Sequence, residues 1–190
     1  MLYTIENTIM QTEKIIKQTE KWLTSFIINY NICPFAKREH DQAKIRYTVI
    51  ESSELEHCLE SMINECQLLD AESNIETSLI IFPNTFKSFD EYLDFLNIAE
   101  SLLIDQQYEG IYQLASFHPD YCFEGETASD PANYTNRSPY PMLHLIRELS
   151  LEKALDSYPH PEKIPERNIL LTRQLGQEKL KAILQNCYSH

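Results

Sequence analysis

Between residues 45 and 117 the chain alternates short apolar segments with longer amphipathic ones. Ile45–Ile50 alternates apolar with polar side chains, Ser78–Phe82 is a continuous apolar run, and Ile111–Phe117 is a third short segment. These patterns predict three strands, the middle one covered on both faces. Because a helix-length segment separates each pair of strands, we expect the strands to run mainly parallel.

The two segments between the strands have the pattern of amphipathic helices. Ser53 with Glu56, and Ser88 with Glu91, have the spacing of a capping box that begins a helix. Each segment carries an apolar stripe at helical spacing, formed by Leu55, Cys58, Leu59, Met62, Cys66 and Leu69 in the first and by Phe89, Tyr92, Leu93, Leu96, Ala99 and Leu103 in the second. We therefore expect both helices to pack on the sheet, with the two cysteines buried and without chemical role.

The rest of the chain predicts further helices. Ile9–Tyr30 is a long amphipathic segment, and Pro165–Leu175 and Gln177–Cys187 are two short ones. Pro141 is expected to begin another helix, whose buried stripe consists of Met142, Leu145, Ile146 and Leu149. The predicted fold is a single α/β domain over residues 1–190, with a small, mainly parallel three-stranded sheet, crossover helices, a long N-terminal helix and C-terminal helices.

Composition excludes several classes of protein. The 190 residues carry 16 Lys and Arg against 29 Asp and Glu, and this net charge of −13 disfavours binding to nucleic acid or to an anionic membrane. The three glycines stand far apart, which excludes glycine-rich nucleotide-binding loops, and we predict no cofactor. Without a membrane-spanning apolar run or a signal-like N-terminus, the cytoplasm is the expected location. There, the five cysteines should be thiols.

Residues 118–141 have no regular period and form a long connection rich in polar and aromatic side chains. Loops of this length inside a compact domain are most often functional. Ligands of open parallel sheets bind beyond the carboxyl ends of the strands, and His118 directly follows the last predicted strand. We therefore expect the candidate site at the carboxyl edge of the sheet, under this loop.

Arg137 and Arg147 flank the start of the helix predicted from Pro141, and together they would form a positive pocket suited to a carboxylate or phosphate. Alternatively, they clamp the loop by pairing with its acids, which are Asp120, Glu124, Glu126 and Asp130. His144 lies in the first turn of the same predicted helix, where the helix dipole favours a neutral ring that can act as a base. The other interpretation of His144 is an exposed pair with Glu148, one turn later.

Cys33 lies just past the first predicted helix, outside its apolar stripe. A cationic neighbour such as His118 or Arg137 would favour its thiolate, the form that a nucleophile needs. Simple topology instead places Cys33 at the amino edge of the strands, and the alternative is a buried, inert thiol. A zinc site formed by His118 and Cys122, with Cys33 or His144 as a remote ligand, is a weaker hypothesis because no CxxC or HxxxH pair is present.

Three segments, NICPFAK at 31–37, SFHPDYCF at 116–123 and NYTNRSPYPMLHLIRE at 133–148, resemble the bacterial domain-of-unknown-function 1415 family. The resemblance runs over nearly the whole chain and implies no activity, because the family has no assigned function. It implies that the family's motif residues are Cys33, Pro34, Phe35, His118, Pro119, Tyr121, Asn133, Tyr134, Asn136, Arg137, Ser138, His144 and Arg147. Cys122 departs from the family pattern, where relatives tend to have glutamine, and this weakens the zinc hypothesis.

The leading hypothesis from the sequence is a cytoplasmic protein that binds a small anionic molecule, held by Arg137 and Arg147. His118 or His144 would move a proton, and Cys33 would act as a nucleophile if the fold brings it to the site. Further binding residues, implied by the resemblance, are Tyr121, Asn133, Tyr134, Asn136 and Ser138. The alternative is a non-catalytic interaction or structural protein with an ordered, arginine-clamped loop.

Overall fold

The structure is a computed structural model that describes the backbone of residues 2–189 and the side chains of residues 8–189. Within these residues a mixed sheet of four strands forms, β1 Ile45–Val49, β2 Thr77–Ile81, β3 Tyr112–Phe117 and β4 Met142–Arg147. The helices are α1 Leu2–Trp22, continued by a π-helical segment Leu23–Ile28, then α2 Ala36–Asp41, α3 Leu55–Ala71, α4 Phe89–Asp105, α5 Glu148–Asp156, α6 Ile164–Leu175 and α7 Gln177–Asn186. The predicted α/β class is confirmed.

The order of the strands is β1-β2-β4-β3, so the last strand in the chain lies inside the sheet. β1 pairs with β2 in parallel, whereas β4 runs antiparallel to both β2 and β3. His144 is paired with Leu79 on one side and with Ala115 on the other. The prediction of a mainly parallel sheet of three strands is therefore wrong in the number of strands and in the direction of one of them.

β4 occupies the segment for which the sequence predicts a helix beginning at Pro141. Its residues fit two periods, since Met142, Leu145 and Ile146 have helical spacing while Met142, His144 and Ile146 alternate. Pairing with a strand on each side supplies the backbone hydrogen bonds of β4, and this tertiary pairing overrides the helical pattern. The next helix, α5, begins only at Glu148.

Helices cover both faces of the sheet. α3 and α4 bury one face, where Cys58 and Cys66 belong to the core as predicted. α1, its π-helical continuation, α6 and α7 contribute the core on the other face. α3 begins after Glu54, one residue past the predicted Ser53, and Ser88 precedes α4 without a side-chain cap. Among the described residues, none of the helices combines the length and apolar character needed to cross a membrane.

Candidate functional site

The second face of the sheet is incompletely covered, and a cavity of about 820 Å³ lies against it. β4 is a central strand, and its residues Leu143 and Leu145, which face α3 and α4, are 0% exposed. His144 and Ile146 point to the other face, line the cavity and are partly exposed. The centre of the sheet is therefore accessible from one side, and the cavity has the size of a small-molecule site.

The wall of the cavity is mainly apolar. Side chains from the sheet, the π-helical segment, α5 and α6 contribute to it, including Leu23, Ile27, Leu79, Phe117, Ile146, Leu151 and Ile169. The cavity extends from Thr77 at the amino end of β2 to Phe117 at the carboxyl end of β3. It thus runs along the face of the sheet and includes, but is not limited to, the carboxyl edge at which the sequence predicts a site.

His144 is the polar side chain at the floor of this cavity. The Thr77 hydroxyl donates its proton to the carbonyl of Leu145 at 2.5 Å, so its oxygen accepts from His144 Nε2 at 2.6 Å. This bond fixes the tautomer and leaves Nδ1 without a hydrogen-bond partner among the described residues. Burial lowers the pKa of His144 to about 4, so the ring is neutral at physiological pH.

The neutral state predicted for His144 therefore has a different cause from the one expected. His144 lies on a strand and not in the first turn of a helix, so no helix dipole acts on it. Its hydrogen-bond partner is Thr77 from the neighbouring strand and not Glu148. Since the side chain lines the cavity, the free Nδ1 can accept a hydrogen bond from a bound molecule.

Cys33 lines the same cavity as His144. The backbone N–H groups of Phe35 and Ala36 lie near its thiol and favour the thiolate, but burial has the larger effect and raises the pKa of Cys33. Cys33 is therefore a protonated thiol. Two of the three predicted catalytic residues, Cys33 and His144, line the same cavity, and both are uncharged.

His118 lies outside this cavity. Its ring is 0% exposed, with Nε2 donating to the carbonyl of Phe86 at 2.8 Å and Nδ1 accepting from the N–H of Asp120 at 3.0 Å. Its ring also packs against Phe89 and Tyr92 of α4. Burial lowers the pKa of His118, so the ring is held neutral. Both ring nitrogens therefore form hydrogen bonds within the protein, and the ring packs on α4, so His118 links the loop to α4.

Arg137 and Arg147 do not share a pocket, and the prediction that they do is wrong. Arg147 is the last residue of β4, whereas Arg137 precedes its first residue, Met142. The strand alone separates them by roughly 20 Å, at about 3.4 Å per residue. Arg147 donates to the carbonyls of Leu69, at the end of α3, and of Ile75, the latter at 3.2 Å.

Arg137 holds the loop together. Its Nε donates to the carbonyl of Tyr121 at 3.1 Å, one of its terminal nitrogens donates to Ala128 at 2.8 Å, and its guanidinium lies 4.8 Å from the centre of the Tyr134 ring. The Trp22 indole in turn donates to the Arg137 carbonyl at 3.0 Å. A clamp is present, as in the predicted alternative, but it acts on backbone carbonyls and not on acids.

Two acids of the loop, Glu126 and Asp130, are paired with an arginine outside the predicted site. Arg173 of α6 lies 3.2 Å from Glu126 and 2.8 Å from Asp130. The N-H of Ala132 also donates to Asp130, and these contacts hold the pKa of that carboxyl below its usual value, with the Arg173 hydrogen bond as the largest cause. Arg173 is more than forty residues away in the chain, so no local pattern connects it to the loop.

The two motif asparagines also stabilise the loop. Asn133 is buried, accepts from the N–H of Phe123 at 3.0 Å and donates to the carbonyl of Thr127 at 2.8 Å. Asn136 donates to the carbonyl of Ser116 at 3.0 Å, which ties the loop to β3. Asn136 lines the cavity, and one of the two N–H donors of its amide is used in the bond to Ser116.

The other predicted binding residues of the loop have structural contacts as well. Ser138 is buried and donates to the carbonyl of Tyr140 at 2.6 Å. Tyr134 is buried beneath the Arg137 guanidinium, and the Tyr121 ring packs 5.0 Å from that of Phe89. Of the five loop residues predicted to bind a ligand, only Asn136 lines the cavity.

A comparison with models of known protein families finds a match over most of the chain. A family model described as "Protein of unknown function (DUF1415)" matches residues 14–182 of the 190-residue chain. The chain belongs to the DUF1415 family. The resemblance noted in the sequence is thereby confirmed, and the matched region contains the whole cavity lining of this DUF1415 member. No curated protein and no solved structure matches the chain.

The described part of this DUF1415 protein contains no group of three His, Cys, Asp or Glu side chains arranged to hold a metal ion. His118 and Cys122, the proposed zinc pair, have other partners: the Cys122 thiol donates to the carbonyl of Glu126 at 3.5 Å. The five cysteines are free thiols. The zinc hypothesis therefore finds no assembled ligand set in the described residues.

Two further polar residues of the cavity were not anticipated from the sequence. Glu39 of α2 and Glu76, just before β2, both contribute to its lining. In the sequence they belong to polar segments that are typical of solvated surface. Only the packing of α2 beside the amino ends of β1 and β2 gives them a place in the site.

Proposed function

We propose that this protein binds a small organic molecule with a largely apolar body in the cavity beside β4. The observation that carries the proposal is the exposure of His144 and Ile146 on a central strand whose opposite face is sealed. Protein interiors are normally close-packed, because an unfilled space forfeits dispersion contacts and destabilises the fold. A cavity of about 820 Å³ along the sheet is best explained by a ligand that fills it.

His144 supplies the directional contact of this proposed site. Its Nδ1 is a hydrogen-bond acceptor held in place by the Nε2 contact to Thr77, and it stays neutral because burial lowers the pKa of the ring. In a mainly apolar cavity a single fixed acceptor orients a ligand that carries an O–H or N–H group. The apolar wall supplies affinity, and His144 supplies orientation.

The structure gives less support to the anionic ligand expected from the sequence. Arg137 and Arg147 are committed to backbone carbonyls elsewhere. Among the described lining residues the cations are Arg38 and Lys153, both exposed at the rim, against the carboxylates of Glu39, Glu76, Glu124 and Glu126. A carboxylate or phosphate inside the cavity would meet mainly like charge, so the proposal does not assign an anion.

A second candidate function is covalent chemistry at Cys33, favoured by its place in the cavity lining and by the backbone N–H groups of Phe35 and Ala36, which act to lower the pKa of the thiol against the larger effect of burial. To act as a nucleophile the thiol must lose its proton, and His144 Nδ1 is a base that lines the same cavity. Because burial raises the pKa of the thiol, alkylation of Cys33 by iodoacetamide at neutral pH should be slower than that of N-acetylcysteine. Mass spectrometry measures this rate, and alkylation faster than that of the free thiol would show an activated nucleophile.

The binding proposal can be tested with N-phenyl-1-naphthylamine, an uncharged probe that fluoresces in apolar surroundings. Ala115 faces the cavity from β3, so Ala115→Phe should fill part of the space without overpacking the core and should weaken probe binding at least tenfold. Ala182→Phe adds the same ring at an exposed position of α7 and should leave binding unchanged. Equal binding by the native protein and Ala115→Phe would place the probe elsewhere and count against the cavity.

A further inference from the structure

We infer that residues 148–163, named here the lid segment, close over the bound molecule and open to admit and release it. The lid segment comprises α5 and the turn that follows it. The inference rests on the proposed binding function and adds the route by which the ligand enters the cavity. It follows from how weakly the lid segment is packed, from where its two ends are anchored, and from the side that it turns to the cavity.

The lid segment is packed on neither hydrophobic core. None of its residues is buried, although it connects the central strand β4 to α6. Among the described side chains, none from the lid segment belongs to the core on either face of the sheet. In contrast α7, a surface helix of similar length, buries Leu180 and packs Ile183 and Leu184 on the core. Short helices are stabilised mainly by such packing, so α5 is weakly held.

Polar side chains do not fasten the lid segment to the rest of the protein. Within the part of the chain whose side chains are described, its side-chain hydrogen bonds are internal, from Ser157 to the carbonyl of Ala154 at 3.0 Å and between His160 and Glu162 at 3.3 Å. One ring contact reaches beyond the segment. Tyr158 packs edge-on against Phe35, with 5.6 Å between the ring centres. Opening the lid segment therefore breaks this ring contact and few others.

The two ends of the lid segment are anchored. At its start, the Glu148 N–H donates to the carbonyl of Ile111 at 3.0 Å. Just past its end, the buried side chain of Asn168 in α6 donates to the carbonyl of Ile32 at 2.8 Å. In the turn between α5 and α6, His160 has a φ of 55°, a left-handed conformation that residues with a side chain adopt rarely. A weakly packed helix between fixed ends can move about them as a unit, with the turn absorbing the change in backbone angles.

The inner side of α5 faces the cavity. Leu151, Ala154 and Ser157 follow one another at three-residue steps and all line it, whereas Leu149 is 61% exposed. The apolar side chains on this inner side therefore gain dispersion contacts from an apolar ligand, and they gain them only when the lid segment is closed. A ligand that makes contacts in one position of the lid segment and not in the other shifts the population toward the closed position.

Hydrogen exchange followed by mass spectrometry tests the lid segment on the native chain, with N-phenyl-1-naphthylamine as the probe. Without the probe, the backbone amides of α5 should exchange at least tenfold faster than those of α7, after correction for intrinsic rates. A saturating concentration of probe should slow exchange in α5 at least fivefold more than in α7. Equal exchange in the two helices, or exchange in α5 that the bound probe does not slow, would overturn the inference while leaving the cavity proposal intact. A probe that does not bind would overturn both.

A variant separates a moving lid from a fixed wall. Tyr158→Leu removes the ring that contacts Phe35 and leaves the cavity lining unchanged. Release of the probe on dilution, followed by stopped-flow fluorescence, should be at least threefold faster than from the native protein. Leu149→Ala, at an exposed position of the same helix, is the matched control and should release the probe at the native rate. If Tyr158→Leu also releases it at the native rate, the inference is overturned. Should that variant fail to fold, the exchange measurements on the native chain still decide the question.

Discussion

Acid should destabilise this protein through His144, and the size of the effect follows from the position of the ring. Burial lowers the pKa of His144 from 6.5 to about 4 in the folded state. Between these two pH values His144 is protonated in the unfolded chain but not in the folded protein, so the free energy of unfolding falls as the pH falls. Above the upper value the stabilisation is complete, and below the lower value both states are protonated and no more is lost.

The magnitude comes from the linkage relation, in which one pKa unit corresponds to about 1.4 kcal/mol. Lowering the pH from about 7 to about 5 should cost roughly 2 kcal/mol through His144 alone. His118 acts in the same direction because burial also lowers its pKa. A variant at position 144 is therefore needed to isolate the contribution of one ring.

His144→Gln removes the titrating group and keeps a polar side chain beside Thr77. Urea unfolding followed by circular dichroism at the two pH values should show a fall in stability that is about 2 kcal/mol smaller in His144→Gln than in the native protein. His57→Gln, at an exposed position of α3, is the control and should follow the native protein. If His144→Gln loses as much stability as the native protein, the ring is not held neutral in the folded state, and its proposed role as an acceptor is wrong.

Two further predictions concern the arginines. Arg137→Ala removes two hydrogen bonds to loop carbonyls and should lower the free energy of unfolding by roughly 2 kcal/mol. Arg173→Ala removes exposed ion pairs and should lower it much less. Urea titrations measure both losses, and equal losses would contradict the assignment of the clamp to Arg137. Arg147→Met leaves the carbonyls of Leu69 and Ile75 without their donor and should cost roughly 2 to 3 kcal/mol. Hydrogen exchange should then speed up in the last turn of α3, and unchanged exchange there would contradict its role as a cap.

The periodicity of apolar residues correctly predicts the helices and strands whose burial is decided within a single segment of the chain. The stripes of α3 and α4 and the apolar run of β2 each report burial along a single element. All three are largely buried, but Leu55 and Leu93, predicted to be buried in the two stripes, are 42% and 36% exposed. β4 was missed because its six residues fit a helix and a strand equally well. Its conformation depends on β2 and β3, which are more than twenty residues away in the chain.

The candidate site was predicted only in part, for a related physical reason. Cys33 is a candidate because it lies outside the apolar stripe of the first helix, and His144 because it lies in the first turn of a predicted helix. That helix is in fact a strand, but both residues line the cavity. The arginines were assigned to a ligand from their charge, but the fold uses them to satisfy backbone carbonyls, which a sequence does not locate. The sequence around Glu39 and Glu76 is typical of solvated surface, and only the packing of α2 beside the sheet places these two residues in the cavity lining.

A mainly apolar cavity along the second face of the sheet underlies both the binding site and the neutral state of His144. A crystal structure of the protein under xenon pressure tests for this cavity, because xenon enters apolar cavities without needing a polar contact. We expect xenon beside Leu79, Ala115 and Ile146, with the His144 ring lining the same space. A structure in which the π-helical segment and α6 close onto these residues, leaving no room for xenon, would show that the cavity is not present.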